Sequence, residues 1–204
     1  MRLTVAVPPA PFSPVGILLA AGSGSRYGGP KSLVCDSAGT PWLVTATDVL
    51  RGAGCLDIVV VLGAAPEAAA LIPLDKRISV IVAADWARGL GSSLRAGLKA
   101  ASELPDSPRT ALITLVDLPE LPLAAARRVA IGHEADDRVL RYAAYRGRPG
   151  HPVLVGRDHW GPLAASLTGD VGARGYLAAH GAALVECGDL GDGHDIDTPT
   201  DSEP

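Results

Sequence analysis

Two cations, Arg26 and Lys31, stand in "AAGSGSRYGGPK" (20–31), a stretch of mostly small residues directly behind the apolar run "GILL". A glycine-rich loop can turn backbone N–H groups toward phosphate oxygens, and two cations at its far end can offset the charge that builds on a leaving pyrophosphate. Two familiar phosphate loops are excluded by spacing. Walker A needs Gly-Lys-Ser/Thr in direct sequence, and Pro30 separates Gly29 from Lys31. The dinucleotide fingerprint needs a third glycine where Tyr27 stands, after Gly22 and Gly24. What remains is a different polyphosphate loop, set against the plainer reading of a solvated turn.

Other residues of chemical interest are spread along the chain. Asp117 ends the apolar run "TALITLV" and is either the N-cap of a helix opening at Pro122 or a working carboxylate. Asp195 and Asp197 in "DIDTPTD" are further carboxylates, or an acidic cap of a last helical turn. Ser92 and Ser93, after "RGLG", read as helix N-caps, and a helix N-terminus there would present N–H groups and positive partial charge to a ligand. His151 lies in "GRPGHP", whose two prolines and two glycines read as a shaped loop. Arg148 and Arg174 are either solvated or aimed at an acceptor phosphate. Tyr142, Tyr145 and Trp160 read as packing residues, and the three cysteines take no role.

The elements that must hold these residues follow from hydrophobic periodicity. Strands are expected at Val15–Leu19, Asp57–Leu62, Ile78–Val82, Thr110–Val116, Val139–Tyr145, Pro152–Val155 and Ala183–Glu186. Helices are expected from Thr40 as cap and Pro41 as first residue to about Ala53, from Pro66, after Ser92 or Ser93 with Leu94, Leu98 and Ala101 on one face, and from Pro122 through Arg127 and Arg128. Alternation of this kind makes βαβ units on a mostly parallel sheet, whose ligand crevice lies beyond the C-terminal strand ends. The loops after the first, third and fourth strands are the unusual ones, so they are expected to meet in one site.

The chain of 204 residues is long enough for one domain with a layered core, here 15–204 behind a loose, proline-broken leader, 1–14. A net charge of −4 with no dense Lys/Arg block argues against a nucleic-acid polymer as partner but leaves a small anion open. Three cysteines without metal spacing, and no secretory or membrane-spanning run, point to reduced thiols in the cytoplasm and no membrane.

Taken together, the motifs resemble the MobA-like nucleotidyltransferases, whose signature is L-A-A-G or L-A-G-G, then x-x-x-R-x-G-x-x-K. Leu19, Ala20, Ala21, Gly22, Arg26, Gly28 and Lys31 match it position by position. The likeness continues in order through "WARGLGSSLRAGL", "VDLPEL", "GRPGHPVLV", "GDVGAR" and "DIDTPTD". Within the family the sequence is most similar to molybdenum cofactor cytidylyltransferases, which join CMP from CTP to molybdopterin. The resemblance implies an α/β, three-layer Rossmann-like nucleotidyltransferase fold with a mostly parallel mixed sheet. It also implies nucleotide contacts from Leu19, Ala20, Ala21, Gly22, Gly24, Arg26, Lys31, Gly89 and Ser93. Arg26, Lys31 and Asp117 are the implied catalytic residues, with Mg²⁺ on Asp117 and on Asp197, less on Asp195. His151 and Arg174 fall on the acceptor side, and a molybdenum hydroxylase would receive the product. The guanylyl branch carries glycine where Ala21 stands, and a Cβ there leaves less room for a purine, so cytosine is favoured. The alternatives are GTP as donor, or a sugar phosphate, methylerythritol phosphate or phospholactate as acceptor. A non-catalytic molybdopterin-binding or delivery protein is the alternative of a different class.

Overall fold

The computed structural model describes residues 13–198, so the expected leader, apart from Ser13 and Pro14, lies outside the described residues. The elements are β1 (Val15–Ala20), α1 (Trp42–Gly52), β2 (Ile58–Leu62), β3 (Ile78–Val82), α2 (Leu90–Ser102), β4 (Thr110–Leu115), α3 (Leu123–Ala130), β5 (Leu140–Tyr145), β6 (Arg148–Gly156), α4 (Trp160–Ser166), α5 (Arg174–Ala179) and β7 (Ala183–Glu186). Short 3₁₀ turns occupy Lys31–Leu33, Pro66–Leu71 and Trp86–Arg88, among others.

The seven strands form one sheet in the order β3-β2-β1-β4-β6-β5-β7. Only β6 runs against its neighbours. β1 and β2 read as unbroken buried runs because both of their faces are covered, the expected pattern for parallel strands between helix layers. Leu18, Val60 and Leu112 face α1 and α3, while Ile17, Val59, Val61 and Ile113 face α2 and α4. Full burial of one such side chain contributes about 1.5–3 kcal/mol. Among the described residues no helix is long and apolar enough to cross a membrane.

Four local expectations need correction. Pro41 stays extended ahead of α1 rather than entering it, and the Thr40 N–H donates to Asp36 Oδ1 at 2.8 Å, so Thr40 is not the cap. Ser92 and Ser93 are not caps either: α2 opens at Leu90 with Gly89 in the cap position, which places both serines inside the first turn. The Gly91 N–H donates to the Gly169 carbonyl at 3.1 Å, a satisfied helix end that no local sequence pattern reveals. "GRPGHP" is not a loop but the first part of β6. Arg146 and Gly147 both take positive φ, which closes a tight hairpin and sends the chain straight back along β5. Asp117 caps nothing, since α3 begins after Pro122 without a side-chain cap.

Glu186, at the end of β7, holds that hairpin in place. Its carboxylate accepts the N–H groups of Gly188 (2.8 Å), Arg146 (2.9 Å) and Gly147 (3.0 Å), which together keep its pKa below the usual range. A pKa lower in the folded than in the unfolded chain gives stability that is present above the unfolded value, about 4.3, and lost as pH falls through the folded one. Glu186→Gln is expected to lower Tm by a few degrees at neutral pH, with the gap closing at an acid pH below the lowered folded-state pKa, where the wild-type carboxylate takes up its own proton. Thermal melts followed by circular dichroism at both pH values test this, and an equal gap at both would deny the charge any part.

Candidate active site

The loops after β1, β2, β3 and β4 crowd one edge of the sheet. A Cβ built on Gly63, just after β2, would lie 2.6 Å from the Ala21 carbonyl oxygen and 2.6 Å from Trp86 Cβ, so the first three of these loops touch there. Val116 continues β4 by donating to the Leu19 carbonyl at 3.1 Å, which delivers Asp117 to the mouth of the glycine loop. The C-terminal segment then crosses the same place: the Ile196 N–H donates to the Asp117 carbonyl at 3.0 Å, and the Ile196 side chain is buried.

Four charged side chains meet here. Lys31 Nζ is 3.0 Å from Asp117 Oδ2 and 3.4 Å from Asp197 Oδ1, and Arg26 Nη1 is 2.5 Å from Asp197 Oδ2. The Lys31 and Asp117 side chains are only 11% and 21% exposed, so their attraction is less screened than that of a surface pair. Arg26 is 76% exposed, so it can turn toward an incoming anion. Asp117 Oδ1 is buried and has no hydrogen-bond partner among the described residues. An unpartnered carboxylate oxygen beside a second carboxylate fits a hard divalent cation that draws its remaining ligands from phosphate and water. Among the described residues no group of three or more His, Cys, Asp or Glu side chains could hold a metal ion unaided.

The glycine loop is half folded in on itself. The Gly24 carbonyl accepts the N–H groups of Tyr27, Gly28 and Gly29 at 2.9, 2.9 and 3.1 Å, and a side chain at Gly24 would collide with the Gly29 carbonyl. The amides available to phosphate are therefore those before Tyr27, a narrower set than the glycine count suggested. Gly89 has φ +108, and a Cβ there would strike Gly169 and Asp170, so "GLG" and "GDVGAR" are packed together. Arg95 fastens the approach to this contact by donating from Nε to the Ala164 carbonyl at 3.1 Å and from Nη2 to the Leu167 carbonyl at 2.5 Å. Ser93 is 3% exposed in the first turn of α2.

Beside the charged cluster lies a cavity of about 530 Å³. Leu19, His151, Arg174 and Asp195 line it, together with Tyr142 and apolar side chains such as Leu90, Leu94 and Leu118. His151 Nδ1 is 3.4 Å from the Ile113 carbonyl, and burial holds the imidazole pKa below its usual value against the upward pull of that carbonyl and of Asp117 and Asp195. Arg148 is exposed at the hairpin and does not reach the cavity lining. Tyr145 and Trp160 are buried as packing residues, whereas Tyr142 faces the cavity. Leu19, Leu90, Leu94 and Leu118 of the lining fall inside the quoted motifs, and the spacing of Leu90 and Leu94, one helical turn apart, was the local signal that they share a face.

Residues 16–184 match the MobA-like NTP transferase domain. The chain belongs to the MobA-like NTP transferases. The MobA-like chain is 33% identical over 193 residues to nicotine blue oxidoreductase of Paenarthrobacter nicotinovorans, covering 90% of this chain and 91% of that protein. It is similar to the crystal structure of Rv0371c from Mycobacterium tuberculosis H37Rv, with a TM-score of 0.75 and 26% identity over 95% of this chain and 96% of that one. A complex of Rv0371c with manganese is also similar, with a TM-score of 0.67 and 26% identity over 86% of this chain and 87% of that one. A MobA-like transferase binds a nucleoside triphosphate and an acceptor, and members of the family generally use a divalent metal.

Proposed function

We propose that this nucleotidyltransferase moves CMP from CTP to molybdopterin and releases pyrophosphate. The observation that carries the reading is the bridge made by Lys31 between Asp117 and Asp197, whose chain neighbours Leu118 and Asp195 line the cavity. In this reading a phosphate oxygen of the acceptor attacks the α-phosphorus of CTP in line, a new P–O bond forms, and the bond to the β-phosphate breaks. A phosphate monoester is ionised at neutral pH, so no strong base is needed and positioning and charge neutralisation supply the catalysis. Arg26 and Lys31 take the charge of the departing pyrophosphate. Asp117 and Asp197 would hold Mg²⁺, which neutralises phosphate charge and orients the reacting groups. Gly89 and Ser93 bound the base, and His151 and Arg174 face the acceptor. The product would pass to a molybdenum hydroxylase.

A nucleotide panel tests the donor. CTP with Mg²⁺ is expected to raise Tm more than GTP does, because only a ligand that binds the native state stabilises it and Ala21 narrows the space for a base. Ala21→Gly is expected to bring the GTP shift toward the CTP shift. Equal or reversed shifts in the wild type would remove the cytidylyl assignment.

One observation favours a second reading. The 33% identical relative bears the name of an oxidoreductase of nicotine blue, and a blue compound is an extended conjugated system that the apolar cavity walls suit. In that case a hydride donor such as a reduced nicotinamide dinucleotide would reduce a conjugated dye held in the cavity. Supplying CTP, Mg²⁺ and molybdopterin in one assay, and a reduced nicotinamide dinucleotide with a quinonoid dye in another, separates the two. Pyrophosphate release without dye reduction is the expected result.

A further inference from the structure

Tyr145, the last residue of β5, belongs to none of the recognised motifs, yet it touches both segments that bring polar groups to the cavity. Its side chain is 2% exposed, and its hydroxyl donates to the His151 carbonyl at 2.9 Å. The Cδ2–Cε2 side of the ring faces two glycines. A Cβ on Gly150 would lie 3.0 Å from Cδ2, and one on Gly193 would overlap the ring outright. Gly193 also has φ +65, a conformation that strains any L side chain. The chain thus lies flat on the ring at Gly193, places Asp195 at the cavity two residues later, gives the Ile196 N–H to Asp117, and brings Asp197 to Arg26 and Lys31. Burial pushes the Tyr145 pKa up to about 12, so the phenol keeps its proton and remains a donor at neutral pH.

We propose that Tyr145 is a positioning residue: its ring, through Gly193, sets the place of Asp197, and its hydroxyl, through the His151 carbonyl, sets the acceptor wall. The two ends are separable. The ring contact governs the carboxylate segment, and the hydroxyl governs only β6. The metal half of the inference rests on the reading that Asp117 and Asp197 hold a divalent ion, while the placement of the segment can be read without any metal.

Amide hydrogen exchange at Ile196 reports the placement, and Mn²⁺ affinity, measured by water-proton relaxation with CTP present, reports its consequence. In Gly193→Ala, Ile196 is expected to lose its protection and Mn²⁺ to bind about tenfold more weakly, the lower end for losing support behind a ligand. Amides of β1 and β4 should stay protected, which separates displacement of the segment from general unfolding. Tyr145→Leu, which removes the flat ring without adding backbone strain, is expected to repeat both effects and decides the matter if Gly193→Ala does not fold. Tyr145→Phe keeps the ring and is expected to match wild type in both readouts while raising KM for the acceptor. Wild-type exchange at Ile196 in Tyr145→Leu would overturn the proposal, as would loss of that protection in Tyr145→Phe. If the wild type binds no Mn²⁺, the metal reading falls, and the exchange results still decide what Tyr145 does.

Discussion

Lys31→Ala is expected to lower the rate of pyrophosphate release by about two orders of magnitude or more, the usual loss when one charge contact to a transition state is removed and equivalent to about 2.7 kcal/mol of barrier. The geometry adds a second reason. Lys31 lies between Asp117 and Asp197, so its removal leaves two carboxylates near one another without the cation that bridges them, while the exposed Arg26 faces Asp197. A triphosphate then meets uncompensated negative charge, and binding of CTP should weaken together with turnover. Arg26→Ala is expected to cut turnover by a similar order, while Lys31 keeps both carboxylates partly neutral. Single-turnover pyrophosphate release with saturating CTP and Mg²⁺ measures the chemical step apart from binding. Near-normal rates in both variants would return the glycine loop to a solvated turn.

Asp117→Asn is expected to abolish most activity, by about a hundredfold or more, and to leave the fold intact. The substitution preserves shape and the backbone bond from Ile196, and it removes the charge that faces Lys31 and, with it, the carboxylate that Oδ1 now offers unpartnered. Since Asp117 caps no helix, the variant should melt within a few degrees of wild type. Asp197→Asn should show a comparable loss because this carboxylate also meets Lys31. Asp195→Asn should lose less, since Asp195 lines the cavity and makes no contact with either cation. Pyrophosphate release at several Mg²⁺ concentrations, beside a thermal melt of each variant, is the measurement. A variant that is less stable yet fully active per folded molecule would make Asp117 purely structural. A wild type that binds molybdopterin and releases no pyrophosphate would leave a carrier in place of a transferase.

Much of the architecture is written locally in the residues. The limits of β3 and β7 follow from short apolar runs bounded by turn residues, and they match the expected Ile78–Val82 and Ala183–Glu186. β1 and β4 differ from expectation by a single residue, because an apolar run between helix layers marks itself without help from its neighbours. The glycine loop was legible for a similar reason: Gly24 and Gly28 take positive φ, and glycines of this kind mark a tight turn in the sequence itself. The likeness in "LLAAGSGSRYGGPK" added the family, and the matching domain bears it out.

Tertiary structure alone decided which charges meet. Arg26 and Asp197 are 171 residues apart, and Lys31 and Asp117 are 86 apart, distances over which no periodicity carries information. The start of α2 was misplaced because its first turn is satisfied by the Gly169 carbonyl from a distant loop rather than by a serine beside it. "GRPGHP" was misread because proline and glycine usually break strands, whereas here its first residues pair with β5 alone and the partner β4 is met only from Val153 onward. The role of Tyr145 was equally out of reach. An aromatic residue in an apolar strand looks like any other core residue until Gly193, 48 positions later, is found lying against its ring. Local pattern tells a strand which faces to bury, but the partner that covers each face arrives by chain closure, and the free energy that selects it belongs to the packed whole.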